Sequence, residues 1–370
     1  MKRTTIGLRV IGVILVLTLS VWGAPVMGAT HSQNAEALAW LRGAQEPDGG
    51  FSSGFAEGSD LGTTVEVILA AAAAGEDVST WVTDEGRSPL DYVATQVASS
   101  AVTDVGNLGK VILVAVATGQ DPRSFAGEDL IETVKAEQDP ETGLFGDTLF
   151  KHAYVVLALH NARAAVSESA VTAMTSQFTE DGGWALFGGT TPGTADTNTT
   201  ALVMQALVAV GRPDAAAGAL PYLRRMQNED GGFPYQKPSA WGTETDANST
   251  AVVLQALNAL DESLGTWVAN GTDPLGALLA MWDPNTGAYR WQQGVPSANM
   301  LATAQAVQAG EGMTLVDIAR VGAARSPEVA VSAEGTALLP ASGARLDTRT
   351  ALVMGGVIVM VAVSAFLRRK

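Results

Sequence analysis

Residues 177–210 and 227–260 carry the same pattern. In each copy a Gln precedes Asp-Gly-Gly and an aromatic residue, and after a loop the sequence Asp-x-Asn-(Thr/Ser)-Thr-Ala opens an apolar stretch. Asp196 and Asp246 are 50 positions apart, and so are Gln205 and Gln255. A fixed period of this size is typical of folds built from repeated helical units. The sequence therefore predicts a repeat protein.

The same plan extends to both sides of these two copies. Each predicted unit has a helix, a turn rich in Gly and Pro that ends it, and a second, more apolar helix. Further units start near Asn34, Leu90, Glu128 and Pro274, which gives six helix pairs up to about Gly310. We expect an all-α domain over residues 34–311.

The two helices of a pair differ in polarity. The second helices are apolar nearly all round, as in residues 65–74 and 251–257, whereas the first helices carry charges on one face. A helix that is apolar all round is buried on all sides. The second helices are therefore expected to form an inner ring, with the first helices outside it. Six pairs can close on themselves without an unprotected terminal repeat.

Three turns carry a recognisable signature: residues 45–51, 177–184 and 227–233. They resemble the Gln-Trp motif of terpenoid cyclases and protein prenyltransferase β-subunits. The resemblance covers residues 34–310 and implies an α6/α6 toroid. In these motifs the Gln ends one helix, the Gly pair turns the chain, and the aromatic residue fills the joint. We therefore expect Phe51, Trp184 and Phe233 to be core residues.

Composition excludes several functions. The chain has 370 residues and a net charge of −16, which argues against nucleic acid as a partner. It has no Cys, so thiolate metal sites and Cys nucleophiles are absent. His152 and His160 are eight residues apart and do not form a metal-ligand pattern. The sequence predicts no cofactor and no metal.

The starts of the inner helices are the candidate site. Parallel inner helices bring their first residues to one mouth of the ring, so Asp60, Asp104, Asp196 and Asp246 are expected there. Capping of the helices explains these residues without a ligand, because Asp accepts hydrogen bonds from free N–H groups at a helix start. Asn198 and Asn248 follow within the same motifs and complete the polar set.

The resemblance also identifies where an enzyme would hold its acid. Class II terpene cyclases carry Asp-x-Asp-Asp-Thr-Ala at the comparable position, and the middle Asp protonates the substrate. Asn198 and Asn248 occupy that place here, and an amide is not a general acid. The zinc site of the prenyltransferases requires a Cys. Catalysis is therefore disfavoured, with Asp196 and Asp246 as the alternative catalytic residues.

A binding module is the leading functional hypothesis. The same toroid holds the ligand of vitamin B12 carriers, so cobalamin is one candidate ligand that the resemblance implies. Four aromatic residues are expected in loops near the mouth, where they can stack on a small molecule, glycan or peptide: Tyr235, Trp241, Tyr289 and Trp291. Packing of the loops against the ring is the alternative role for these side chains.

The amino-terminal end is predicted to be an export signal. Residues 1–29 have a basic start, an apolar run from Val10 to Val21 and small residues up to Ala29. This order is typical of a cleaved signal peptide. The domain is therefore expected on the extracellular face.

The carboxy-terminal end is predicted to be an anchor. Residues 312–338 form a linker, and residues 351–367 are apolar and precede Arg368, Arg369 and Lys370. Such a run, roughly 26 Å long as a helix, is sufficient to cross a membrane. Leu-Pro-Ala-Ser-Gly at 339–343 resembles the cell-wall sorting signal of sortases, with Ser342 in place of Thr, and implies cleavage between Ser342 and Gly343. A permanent membrane anchor is the alternative.

Overall fold

The computed structural model describes residues 24–54, 57–240, 242–318 and 321, with side chains from residue 31 onward. These residues form thirteen α-helices: α1 (Ala24–Gly43), α2 (Leu61–Ala73), α3 (Pro89–Ala98), α4 (Val105–Ala117), α5 (Leu130–Ala136), α6 (Leu149–Asn161), α7 (Glu168–Thr175), α8 (Thr197–Ala209), α9 (Pro213–Ala217), α10 (Leu220–Met226), α11 (Ala247–Ala259), α12 (Pro274–Leu279) and α13 (Met300–Gly310). Two short strands, β1 (Trp282–Asp283) and β2 (Ala288–Tyr289), form an antiparallel hairpin.

Six of these helices form a closed inner ring. They are α2, α4, α6, α8, α11 and α13; each packs against the next, and α13 packs against α2. In α2 every residue from Thr63 to Ala73 is buried, because neighbouring helices cover it on all sides. The prediction of an all-α toroid with apolar second helices inside is confirmed.

The remaining helices lie against the outside of this ring. Helices α3, α5, α7 and α12 pack on α2, α4, α6 and α11, and α9 packs on α8. Helix α1 packs on α13, so the first and last repeats are in contact. The Asn34 side chain donates a hydrogen bond of 2.7 Å to Glu311 across this junction. The ring therefore closes without a capping repeat.

Each inner helix begins at a polar capping residue. The caps are Asp60, Asp104, Thr148, Asp196, Asp246 and Asn299, and each accepts a hydrogen bond from the N–H three residues later. These bonds satisfy backbone donors that a helix start leaves free, and each contributes about 1 kcal/mol. The capping role that the sequence predicted for the four Asp residues is confirmed.

The turns before five of the six inner helices are held by a second recurring contact. The N–H of the turn aromatic residue donates to a side chain four residues after the cap: Phe51 to Thr64, Phe145 to His152, Trp184 to Thr200, Phe233 to Thr250 and Tyr289 to Thr303. All these distances are between 2.9 and 3.0 Å. The five aromatic rings are buried and act as core residues, which confirms the prediction made for Phe51, Trp184 and Phe233.

The motif Gln and the first Gly of the pair complete the joint. Gln227 donates to the Gly231 carbonyl at 2.9 Å and to the Trp267 carbonyl at 2.6 Å, which links its turn to the segment before α12. Gly231 has φ +89°, and a Cβ atom there would lie 2.5 Å from the Thr272 carbonyl oxygen. Only glycine fits this turn, both for its backbone angle and for its close contact.

The packed domain continues beyond its predicted end. The chain after α13 does not start a linker at residue 312, because Thr314, Leu315 and Ile318 are buried against the ring. The remaining predicted linker, the sorting motif at 339–343 and the apolar run at 351–367 lie outside the described residues, as do residues 1–23 of the predicted signal peptide. Within the described ranges, no helix is both long and apolar enough to span a membrane.

The joint contact can be tested at Thr250. Replacing it with valine removes the hydroxyl that accepts the Phe233 N–H at 3.0 Å and leaves that buried donor unpaired. T250V is therefore expected to lower the free energy of unfolding in urea by ~1–3 kcal/mol. The matched control is T191V in the exposed loop before α8, which should change it by less than ~0.5 kcal/mol. Equal effects of the two variants would contradict the role of the hydroxyl.

Candidate functional site at the amino-terminal mouth

The first turns of neighbouring inner helices lie side by side. Lys151, in the first turn of α6, contacts Asp104 at the start of α4 with an Nζ–Oδ2 distance of 2.7 Å. Asn248 in α11 donates to Gln305 in α13 at 2.9 Å. The starts of the helices therefore meet at one opening of the ring, called here the amino-terminal mouth, as the sequence predicted.

Residues two positions after each cap occupy equivalent places at this mouth: Gly62, Gly106, Phe150, Asn198, Asn248 and Leu301. Asn198 and Asn248 are half-buried, and Leu301 is exposed. The Asn198 Oδ1 atom accepts from Thr197 at 3.3 Å, while no described residue accepts a bond from its amide nitrogen. The amide groups of the two Asn residues are therefore placed where they can bind a polar ligand.

Below the mouth lies a charged group contributed by three helices. Lys110 of α4 contacts Glu66 of α2 at 3.0 Å and stands over the Tyr154 ring of α6, 4.7 Å from its centre. The Tyr154 hydroxyl in turn lies 3.4 Å from Glu66. Burial on its own lowers the pKa of Lys110, but Tyr154 and Glu66 outweigh it and raise that pKa above its ordinary value. Lys110 therefore stays charged, and the floor of the mouth is polar.

Three glutamine side chains form the next layer, and the chain after α13 covers the opposite end of the ring. Gln308 donates to the Glu66 carboxylate at 3.2 Å. Gln255 donates to the Met313 carbonyl at 3.1 Å, and the Leu315 N–H donates to Gln205 at 3.2 Å. Asn161, at the end of α6, donates to the Leu315 carbonyl at 3.0 Å. The segment after α13 therefore closes the end of the ring opposite the amino-terminal mouth.

Two exposed aromatic residues lie on the rim of this mouth. Tyr235 and Trp291 each follow a buried turn aromatic by two positions, and each is 42% exposed. The Tyr235 carbonyl accepts from the Thr197 N–H at 2.9 Å, and the Trp291 carbonyl accepts from the Ala247 N–H at 2.8 Å. Both residues are thus fixed by their backbone to the start of the inner helix of the preceding repeat.

The other predicted aromatic residues are not part of this rim. Tyr289 is completely buried and packs against Trp282 with ring centres 5.3 Å apart, so it cannot stack on a ligand. It is the turn aromatic of the sixth repeat, where β1 and β2 form a hairpin. Trp241 lies outside the described residues. Phe187, which no sequence motif indicates as a site residue, is highly exposed in the loop before α8.

The four capping Asp residues differ in exposure. Asp60 and Asp104 are half-buried, whereas Asp196 and Asp246 are 1% and 5% exposed. Burial raises the pKa of Asp196 and of Asp246 to about 6, against the hydrogen bonds from their helix N–H groups. Asp196 Oδ2 has no hydrogen-bond partner among the described residues, although the Tyr235 side chain is its neighbour. These carboxyl groups hold the helix starts and lie under the rim.

The described residues provide no cluster of three or more His, Asp or Glu side chains suited to a metal ion. His152 is buried, accepts from the Phe145 N–H through Nδ1, and bonds to the Ala170 carbonyl through Nε2 at 2.9 Å. Burial lowers its pKa to about 4, so it is a neutral structural residue.

The charged floor was not anticipated from the sequence, although a signal for it exists. Glu66 and Lys110 are isolated charges within apolar helices, and each follows its capping Asp by six positions. Equivalent positions in adjacent parallel helices are neighbours, so opposite charges there predict an ion pair in the interior.

The raised pKa of Asp196 can be tested with D196N, because Asn also caps helices and stays neutral. The folded-state pKa of about 6 exceeds the unfolded value, so the wild type loses stability as the pH rises from about 4 to about 6. D196N should escape this loss. From pH 4 to pH 7 its free energy of unfolding should gain up to about 3 kcal/mol relative to wild type. Parallel pH profiles in urea unfolding would contradict a desolvated Asp196.

Comparisons with solved structures agree with this architecture. The apo structure of the type II terpene cyclase MstE from Scytonema has 15% identity and a TM-score of 0.55, covering 80% of this chain and 99% of its own. A protein from Actinoplanes has 17% identity and a TM-score of 0.54, covering 76% and 99%. Haptocorrin in complex with Cbi has 14% identity and a TM-score of 0.51, covering 78% and 68%.

A scan against protein-family models and a search of curated protein sequences found no match. At these identities the structural likeness concerns the fold, and the solved structures include both an enzyme and a ligand complex. The chain therefore has a terpenoid cyclase-like α/α toroid fold.

Proposed function

We propose that this protein is a non-catalytic binding module that holds a polar ligand at the amino-terminal mouth of its ring. The observation that carries the proposal is the combination of exposed Tyr235 and Trp291 with the half-buried amides of Asn198 and Asn248. Flat aromatic surfaces provide contact area, and amides orient a ligand by hydrogen bonds. A small molecule, a glycan or a peptide can use both kinds of contact.

The floor of the mouth favours this proposal over terpene cyclisation. An isoprenoid chain needs an apolar chamber, whereas Glu66, Lys110 and Tyr154 lie below the mouth. An apolar ligand pressed against this ion pair would remove water from charged groups without replacing their hydrogen bonds. Cobalamin stays a candidate ligand, since part of its surface is polar.

The residues available for acid catalysis also support binding. The place of the cyclase acid is taken by amides, and the carboxyl groups of Asp196 and Asp246 accept the Thr199 and Ser249 N–H groups at 2.7 Å. A specific observation favours the alternative, a divergent cyclase-like enzyme or lyase: Asp196 has a pKa of about 6, and within the described part of the chain its Oδ2 atom makes no hydrogen bond, although Tyr235 is its neighbour. A group with that pKa can exchange protons near neutral pH.

The binding test uses the full chain in mild detergent with cobalamin, neutral tetrasaccharides, tetrapeptides and geranylgeraniol as probes. A polar probe should bind, and N198A/N248A should weaken its binding at least tenfold, because two amide hydrogen bonds are worth ~1 kcal/mol each or more. N258A, at the other end of α11, is the control and should bind as the wild type does.

Products from the geranylgeraniol incubation, detected by mass spectrometry and lost in D196N/D246N, would contradict a non-catalytic role. Binding of no probe in the wild type would likewise reject the ligand-holding function.

We also propose that the ring is displayed outside the cell and anchored at its carboxy-terminal end. The support is the sequence alone: the signal peptide pattern in residues 1–29, the apolar run at 351–367 and the basic tail after it. Positive charge after a membrane span favours a cytoplasmic tail and leaves the preceding domain outside.

Mass spectrometry of the protein isolated from its host envelope tests both ends. The mature chain should begin near Thr30, and sortase processing predicts that it ends at Ser342. A chain that retains residues 1–29 would contradict cleavage of the export signal. An intact tail from Arg368 to Lys370 would reject the sorting signal in favour of a permanent membrane anchor.

A further inference from the structure

A surface cavity of about 470 Å³ lies between the fifth and sixth repeats. One wall comes from residues 228–230 in the turn that follows α10. The others come from Glu244 and Thr245, just before the cap of α11, and from Gln292 and Gln293, just after Trp291. The cavity therefore adjoins the rim of the amino-terminal mouth at Trp291. Its volume is in the range of sites that bind small ligands, about 300–1,000 Å³.

One wall of this cavity is held in place by hydrogen bonds. The Thr245 hydroxyl donates to Asp230 at 2.7 Å, and the Asn228 amide donates to the Thr245 hydroxyl at 3.1 Å. Lys237 donates to Asn228 Oδ1 at 3.1 Å on the same side. The polar groups here are thus oriented before any ligand arrives, which reduces the entropy lost on binding.

Other polar groups of the cavity are available to a ligand. The side chains of Glu229, Gln292 and Gln293 make no hydrogen bond with any residue that the structure describes. Asp230 and Glu244 each use one carboxylate oxygen in the hydrogen bonds found within those ranges. The cavity consequently presents several hydrogen-bond acceptors to a ligand, together with the side-chain amides of Gln292 and Gln293.

These groups limit the chemistry of the ligand. Three carboxylates, on a chain with a net charge of −16, repel phosphates and acidic sugars. A purely apolar ligand would desolvate the carboxylates without compensation. A ligand with many hydroxyl donors satisfies both the acceptors and the amides, and the apolar face of a sugar ring matches an exposed aromatic ring.

We infer that this cavity and Trp291 form a binding site for a neutral oligosaccharide. One sugar ring stacks on Trp291, and its hydroxyls donate hydrogen bonds to Glu229 and Glu244. The oligosaccharide continues along the rim toward Tyr235. Tyr235 and Trp291 are attached to adjacent inner helices, which pack ~8–10 Å apart, so one oligosaccharide can contact both rings. The inference rests on the proposed function, because it names the ligand class for that mouth.

The test measures binding of cellotetraose, mannotetraose and chitotetraose to the full chain in mild detergent by calorimetry. At least one should bind, and W291A and Y235A should each weaken that binding tenfold or more. E229Q changes a side chain that makes no hydrogen bond with any described residue, and it should weaken oligosaccharide binding severalfold. V82A removes an exposed apolar side chain in another repeat and should leave binding unchanged. Thermal unfolding checks that each variant is folded.

The outcomes separate this inference from the proposed function. Oligosaccharide binding that is unchanged in folded W291A would overturn the site. If cobalamin or a tetrapeptide binds and is lost in N198A/N248A while none of the tetrasaccharides binds, the mouth is a binding site and the carbohydrate inference is wrong. If no probe of any class binds, both fail.

Discussion

The toroid depends on one buried hydrogen bond that recurs at its joints, from the N–H of a turn aromatic residue to a side chain in the first turn of the inner helix. At Thr200 and Thr250 this acceptor is the last Thr of the repeated motif, and at His152 it is an imidazole. A buried N–H without a partner costs ~1–3 kcal/mol, so the acceptor fixes where each turn meets its helix. Because these bonds fix the turns, the capping residues lie together at one end of the ring and form the amino-terminal mouth.

The alignment of the six helix starts also determines which side chains fill the interior of the ring. Six positions after the cap stand Glu66, Lys110 and Tyr154, and nine positions after it stand the three glutamines of the next layer. Three residues are close to one helical turn, so the two sets form two layers in the interior. A buried ion pair adds little net stability, since its desolvation offsets its attraction. Its clear consequence is chemical, because it makes the interior below the mouth polar.

Much of the fold was predictable from the sequence, because the repeat is visible in residue types that only one local structure explains. Paired glycines, capping Asp and apolar second helices led to six helix pairs. The end of the domain was misplaced, since residues 313–318 have no periodicity long enough to reveal packing on distant helices. Tyr289 was misassigned for a related reason: its turn lacks the Gly pair, so only the contact with Thr303 identifies it as a core residue. Burial of one side chain depends on contacts from other repeats, which local sequence does not encode.

The short segment after α13 has a mechanical consequence. Its backbone and the side chains of Asn161, Gln205 and Gln255 are joined by hydrogen bonds, and these belong to three different inner helices. A force applied to the chain beyond Ile318 is therefore divided among α6, α8 and α11 before it reaches α13. Loads shared in parallel by several bonds rupture at higher force than loads borne by one bond at a time. A pull on the carboxy-terminal end therefore acts on three further inner helices and not on α13 alone.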